Sequence, residues 1–255
     1  MRVLHYCWLG GRTPVHILNR VGRWKRYFPC FRVIEWNDAN AECGDSEYFG
    51  RAIKARQWAF AADYVRLRKL DEWGGVYLDV DMEVRSPLVA ELGLNDTSVL
   101  LGFEKNCVHA GLIVCPPHHR LIRRLLSEYD ADIDVGLPNR EPKSIVTRLT
   151  DLLIDEYGLR TPFGEQRLRD DIRILPANRL LVDMQDGQNL AIHHYAASWK
   201  KDFHAEAFVR DVRRYCDWSH APVAFRLKER LKMFLQYRLP GVYRLIRDWR
   251  RGRRR

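Results

Sequence analysis

A chain of 255 residues with 46% hydrophobic content is long enough for one large domain, or a domain with an appendage, and apolar enough for a buried core. Its charge is uneven: residues 226–255 carry 12 Lys or Arg against 2 acids, a net of +10, which equals the excess of the whole chain and leaves the body neutral. A neutral body excludes a nucleic-acid groove spread over the fold, and without an apolar run of roughly 20 residues no helix spans a bilayer. The start lacks a charged-then-apolar leader, and the six cysteines form no CxxC pair. Together these features read as reduced thiols in a cytoplasmic protein.

Val3–Leu9 is apolar and β-prone and ends at Gly10-Gly11. Pro14 then suits a first helical turn and opens an amphipathic run to Tyr27, and Arg32–Trp36 reads as the next strand. This strand, helix, strand order is the opening of an α/β sheet. Arg51–Trp73 reads as one long helix, with Phe60, Tyr64, Leu67 and Leu70 at three- and four-residue spacing, stopped by Gly74-Gly75.

Val76–Val84 alternates as a strand, with Tyr77, Asp79, Asp81 and Glu83 on one face. Strands are expected at Ser98–Phe103, Val108–Cys115, Ile172–Leu175 and Leu190–Tyr195. Helices are expected at His119–Tyr129, at Ser144–Tyr157 and from Glu206 onward, with a break at Pro240-Gly241. The chain divides into a body at 1–205 and a basic helical extension at 206–255.

Asp79 and Asp81, roughly 7 Å apart at Cα if the strand is regular, repel one another unless a cation sits between them. Hard divalent ions such as Mg²⁺ or Mn²⁺ take such oxygen ligands and share them with phosphates. The alternative is a solvated strand face, and Glu83, farther along, ranks below the two aspartates. Asp63 and Arg66 share a helix face at i and i+3, either as a structural ion pair or as part of the same pocket. Of the adjacent histidines only one faces a given side of a strand, and His194 is favoured over His193.

The order of these features adds a resemblance. Phe60-Ala-Ala-Asp63-Tyr-Val-Arg66-Leu, followed by Gly74-Gly75-Val-Tyr-Leu-Asp79-Val-Asp81, resembles glycosyltransferase family 32, the DXD sugar-binding transferases of capsular polysaccharide and yeast mannan synthesis. His5-Tyr-Cys-Trp8-Leu-Gly10-Gly11 is similar to that family's first strand, and Ile192-His193-His194-Tyr-Ala-Ala-Ser198-Trp199 to its closing motif. The likeness covers about residues 1–200 and departs from the family's pattern in places, Arg160–Gly164 only loosely resembling its Gly-Pro acceptor-side segment.

The resemblance implies a GT-A type nucleotide-sugar fold, a Rossmann-like mixed sheet with helices on both faces. It also implies transfer of a hexose from a nucleotide-diphosphate sugar, with retention, to a saccharide or lipid-linked acceptor. Under it Trp8 lines the base pocket and Asp63 and Arg66 hold donor sugar hydroxyls. Asp79 and Asp81, with His194, bind Mn²⁺ or Mg²⁺, Asp79 also meets the donor, and His194, Ser198 and Trp199 close over the diphosphate. The same donor motifs serve a toxin-like transferase acting on a host protein, or a non-catalytic nucleotide-sugar or membrane-binding protein. In residues 226–255, apolar side chains alternate with cations in a way that suits either an anionic membrane surface, on the inner face of the membrane, or a cap packed on the core.

Overall fold

Strands buried on both faces form near-continuous apolar runs, and the central sheet of this protein is built from such strands. The structure, a computed structural model, describes residues 2–137, 142–196 and 204–252. Its first unit is β1 (Val3–Cys7), α1 (Val15–Trp24) and β2 (Arg32–Trp36), followed by α2 (Glu47–Lys54), α3 (Trp58–Trp73), β3 (Gly75–Leu78), β4 (Met82–Val84) and α4 (Leu88–Glu91). The middle of the chain gives β5 (Val99–Glu104), β6 (Cys107–Cys115), α5 (Arg120–Asp130) and α6 (Ile145–Tyr157). After these come β7 (Gln166–Leu168), β8 (Ile172–Leu175), α7 (Ala177–Leu180), β9 (Ala191–His193), α8 (Ala205–Cys216), α9 (Val223–Arg238) and α10 (Pro240–Gly252).

Seven strands make one mixed sheet in the order β2-β1-β3-β6-β5-β8-β7, and β4 pairs with β9 in a separate two-stranded ribbon. β1 lies parallel to both β2 and β3, whereas β6 is antiparallel to β3 and β5. One face buries Tyr77, Ile113 and Cys115 against α2, α3, α5 and α6. The other buries Leu4, Val76, Leu78, Leu112 and Val114 against α1, α4, α7 and α8. The expected mixed α/β sheet with helices on both faces is therefore present.

Two expectations fail for local reasons. The helix expected over 51–73 is two helices, because residues 55–57 leave the helical path and Arg56 takes a left-handed backbone with φ of 54°. The strand expected over 76–84 ends at Leu78. Asp79, Val80 and Asp81 form a turn in which the Met82 amide donates to the Asp79 carbonyl at 2.9 Å. The chain thereby passes from the main sheet to the β4–β9 ribbon, so Glu83 does not share a strand face with the two aspartates.

The C-terminal helices pack on the body. Asn106, at the β5–β6 turn, is held by Lys232 at 3.0 Å, by Tyr237 at 2.6 Å and by Gln236, which both donates to its carbonyl and accepts from its side-chain amide. Arg247 pairs with Asp151 at 3.1 Å and Arg244 with Asp155 at 2.5 Å, both acids lying on α6. No helix among the described residues is long and apolar enough to cross a membrane.

α3 reaches β3 through Gly74 and Gly75, both at positive φ. At Gly75, with φ of 109°, an added Cβ would lie 2.3 Å from the Val3 carbonyl oxygen. Gly75→Ala therefore combines backbone strain with a clash inside the β1–β3 pair, and is expected to lower stability by roughly 2–4 kcal/mol in denaturant unfolding.

Candidate active site

The turn at Asp79–Asp81 is held from four directions. β3 delivers Asp79 beside β6, where its amide donates to the Gly111 carbonyl at 2.7 Å. From α1, Arg20 donates to the Val80 carbonyl at 3.2 Å and the Trp24 indole to the Met82 carbonyl at 3.0 Å. From β9 and the residues after it, the His194 amide donates to the Asp81 carbonyl at 3.1 Å and the Ala196 amide to Asp81 Oδ2 at 2.8 Å.

The fourth support is Arg66 on α3, which is almost fully buried. One of its terminal nitrogens donates to the Ala110 carbonyl at 2.5 Å. The other meets Asp79 Oδ1 at 2.9 Å and Asp63 Oδ1 at 3.2 Å. The guanidinium also lies 4.4 Å from the centre of the Tyr77 ring, whose hydroxyl donates to the same Asp79 oxygen at 3.2 Å. One cation thus serves two part-buried carboxylates, 14% exposed at Asp63 and 27% at Asp79. Burial, aided by the charge of Asp79, outweighs Arg66 and raises Asp63 to about 7. Burial likewise pushes Asp79 up against the pull of Arg66.

His109 on β6 and His193 on β9 complete the cluster. Their rings meet edge to face at 4.6 Å between centroids. His193 Nε2 lies 3.2 Å from Asp81 Oδ1 and 3.9 Å from Asp79 Oδ2. Burial opposes the charged form of Asp81, but the hydrogen bonds from His193 and Ala196 overcome it and hold this carboxyl well below the usual range. Burial also opposes a charged His193, and here too the bond to Asp81 prevails and raises its pKa. His109, buried and beside His193, is pushed well below the ordinary imidazole range. Gly111 makes room for this contact, since a Cβ there would lie 2.2 Å from His109 Cε1 and 2.6 Å from Asp79 Oδ2.

Donor atoms of Asp79, His109 and His193 lie within 4.8 Å of one another, the convergence a divalent ion requires. The hydrogen bonds divide the roles within that set. His109 Nδ1 accepts from the Gly111 amide at 2.9 Å and His193 Nδ1 from the Tyr195 amide at 3.1 Å, which places the hydrogen of each neutral ring on Nε2. The imidazoles are thereby donors in this arrangement. Asp79 Oδ2, which accepts no hydrogen bond among the described residues, and the anionic Asp81 are the groups that fit a hard cation.

The expectation for the histidines is reversed. His193 faces the carboxylates, and the His194 ring points to Glu83 at 2.9 Å. The cause is the pairing of β9 with β4, which sets His193 opposite Met82 and places Ile192 opposite Glu83. Asp63, Arg66, Asp79 and Asp81 are brought together as expected. Trp8, half-buried just beyond β1, donates its amide to the Trp36 carbonyl at 2.9 Å and packs on the α1 face of the sheet. Ser198 and Trp199 lie outside the described residues. Sequence reasoning missed His109. Its signal was the spacing His109-Ala-Gly111, a histidine two residues from a glycine on one strand face, which gains meaning only once β6 is known to flank Asp79.

A family model described as "glycosyltransferase sugar-binding region containing DXD motif" matches residues 14–99, about a third of the chain, from α1 to the start of β5. The chain is a glycosyltransferase. The matched segment supplies Asp63, Arg66, Asp79 and Asp81, while His109 and His193 come from beyond it. No curated protein matches the chain. Among solved structures, the chain is similar to the PaToxG glycosyltransferase at 14% identity and a TM-score of 0.48, covering 61% of this chain and 68% of that one. It is similar to a glycosyltransferase involved in glycosylation of the major capsid of PBCV-1 at 12% identity and a TM-score of 0.39, covering 84% and 99%. It is also similar to the galactosyltransferase LgtC, solved with donor and acceptor sugar analogs, at 13% identity and a TM-score of 0.44, covering 89% and 99%.

Removing the shared cation strands both acids: Arg66→Met is expected to lower stability by about 3–5 kcal/mol in chemical denaturation. Asp63→Asn tests the other side of the pair. In the unfolded chain Asp63 loses its proton near 3.8, and in the folded protein near 7. Between those values the folded state holds more protons, so stability falls as pH rises through the window. The Asn variant is expected to show a shallower loss of stability than the wild type between about pH 4 and 7.

Proposed function

We propose that this glycosyltransferase moves a hexose from a nucleotide-diphosphate sugar to a saccharide acceptor, lipid-linked in surface or capsular polysaccharide synthesis, with retention at the anomeric carbon. The observation that carries the reading is the convergence of the buried Asp81 and the part-buried Asp79 in a turn whose backbone and side chains are fixed by four separate elements. Such fixation places negative oxygens where a divalent ion and a pyrophosphate would meet, with little reorganisation during reaction.

Asp79 and Asp81 would hold Mn²⁺ or Mg²⁺, which when bound supplies neutralisation of the charge that develops on the departing diphosphate. Arg66 keeps Asp79 Oδ1 turned inward, leaving Oδ2 for the ligand side. His193 holds Asp81 through its Nε2 hydrogen and keeps that carboxyl ionised. Asp63, with Arg66, borders the donor sugar, and Trp8 offers an indole face to the base. The acceptor hydroxyl attacks from the leaving-group side, its proton passing to a phosphate oxygen. The transferase body at 1–205 carries all of these groups. The extension at 206–255 reaches an anionic membrane surface, as a peripheral protein of the cytoplasmic face.

Donor turnover provides the test. Wild-type protein incubated with manganese and a panel of uridine and guanosine diphosphate hexoses is expected to hydrolyse or transfer one of them, and chelation is expected to stop it. Asp81→Ala is expected to lower that turnover by at least about a hundredfold, the scale of losing a principal electrostatic group. Turnover near the wild-type rate in that variant removes the assignment. With the donor known, lipid-linked saccharide is expected to outcompete protein lysate as acceptor, and labelling of a protein instead identifies a protein glycosyltransferase.

A further inference from the structure

The inner face of α9 is fixed to the body by Asn106, and its outer face carries Val223, Leu227, Leu231 and Phe234, all more than half exposed. Their spacing of four, four and three residues sets them in one stripe along the helix, about 16 Å long at the usual rise per residue. α10 continues the pattern with Val242, Leu245 and Trp249 at spacings of three and four, exposed by 45%, 73% and 56%. Apolar exposure of this kind, gathered on two successive helices, marks a contact surface.

The charges beside the stripe select the partner. The exposed charged side chains of α9 are Lys228, Arg230 and Arg238, all cationic, and its one acid, Glu229, is buried against Tyr215. A cavity of about 200 Å³ opens where α9 meets the segment before β7. Arg160 and Arg238 stand at its lining with Phe163, Met233, Phe234 and Tyr237, so cations and apolar side chains border one space. Phe234 belongs both to this cavity and to the exposed stripe.

We infer that the outer face of α9 and α10 docks on an anionic phospholipid bilayer. The apolar stripe enters the headgroup–acyl boundary, Lys228, Arg230 and Arg238 meet lipid phosphates, and the Arg160–Arg238 cavity receives one headgroup. The surface fits a bilayer better than a second copy of this chain, because pairing the stripe with itself sets these cations against their own kind, and Asp248, the one exposed acid on α9 and α10, is already paired with Arg247 of its own helix. It fits a bilayer better than nucleic acid, because four apolar side chains occupy the centre of the face. The inference rests on the lipid-linked acceptor of the proposed reaction for its purpose, and on the helix faces for its substance.

Flotation of the full chain with vesicles tests it. The protein is expected to float with vesicles of mixed phosphatidylglycerol and phosphatidylcholine and to remain in solution with phosphatidylcholine alone. Each of Arg230→Ala and Arg238→Ala is expected to weaken partition about fivefold, the equivalent of the roughly 1 kcal/mol a base contributes near an anionic leaflet. Leu231→Glu combined with Phe234→Glu is expected to abolish flotation while leaving donor hydrolysis in solution unchanged. Asp81→Ala is expected to do the reverse, so failure of the active-site assignment and failure of the docking surface give different patterns. Equal binding to neutral vesicles, no binding to anionic ones, wild-type flotation by the double variant, or a concentration-dependent dimer that the double variant dissolves would each overturn the inference.

Discussion

Two aspartates within one part-buried turn repel each other, and the protein answers that repulsion with hydrogen bonds and a single guanidinium. Arg66 spends one terminal nitrogen on a strand carbonyl and divides the other between Asp63 and Asp79. Such an arrangement is costly to assemble in a medium of low polarity, because three charges leave water and only one of them is positive. The geometry shows where relief comes from. Tyr77 gives a hydrogen to Asp79, His193 and the Ala196 amide give hydrogens to Asp81, and Asp63 takes up a proton at higher pH than an aspartate in water. The site therefore keeps an excess of negative charge before any ligand arrives, with Asp79 Oδ2 the oxygen left without a hydrogen bond among the described residues.

Much of the frame was legible in the sequence because local rules governed it. β2 and β8 match their expected bounds, and α6 starts where Ser144 caps it by accepting from the Thr147 amide. The apolar runs of β1 and β6 signalled strands because both faces of the sheet are covered. What escaped was set by distant contacts. An alternating pattern of apolar and acidic residues continued through Val76–Val84, but Arg20, Trp24 and Gly111 bind the backbone there and bend it into a turn. The same limit explains the choice between His193 and His194. Alternation correctly separates their faces, and only the register of β9 on β4 decides which face meets the acids.

The basic extension illustrates how a composition signal splits once a fold is known. Of its cations, Arg244 and Arg247 are turned inward onto the acids of α6, and Lys232 holds the β5–β6 turn. Lys228, Arg230 and Arg238 face outward. A count of charges treats these groups alike, whereas their positions assign one set to internal cohesion and the other to contact. Asn106 links the two regions: it is gripped by α9, and the strand that follows it carries His109 and Ala110 to the aspartates three to four residues later.

Asp81 and the amide that fixes it are 115 residues apart in sequence. In the sequence α1 and α3 precede the acidic turn, whereas β9 and the Ala196 amide follow it. Seating Asp81 thus closes a long loop of chain, and the pairing of β9 with β4 holds that closure in place.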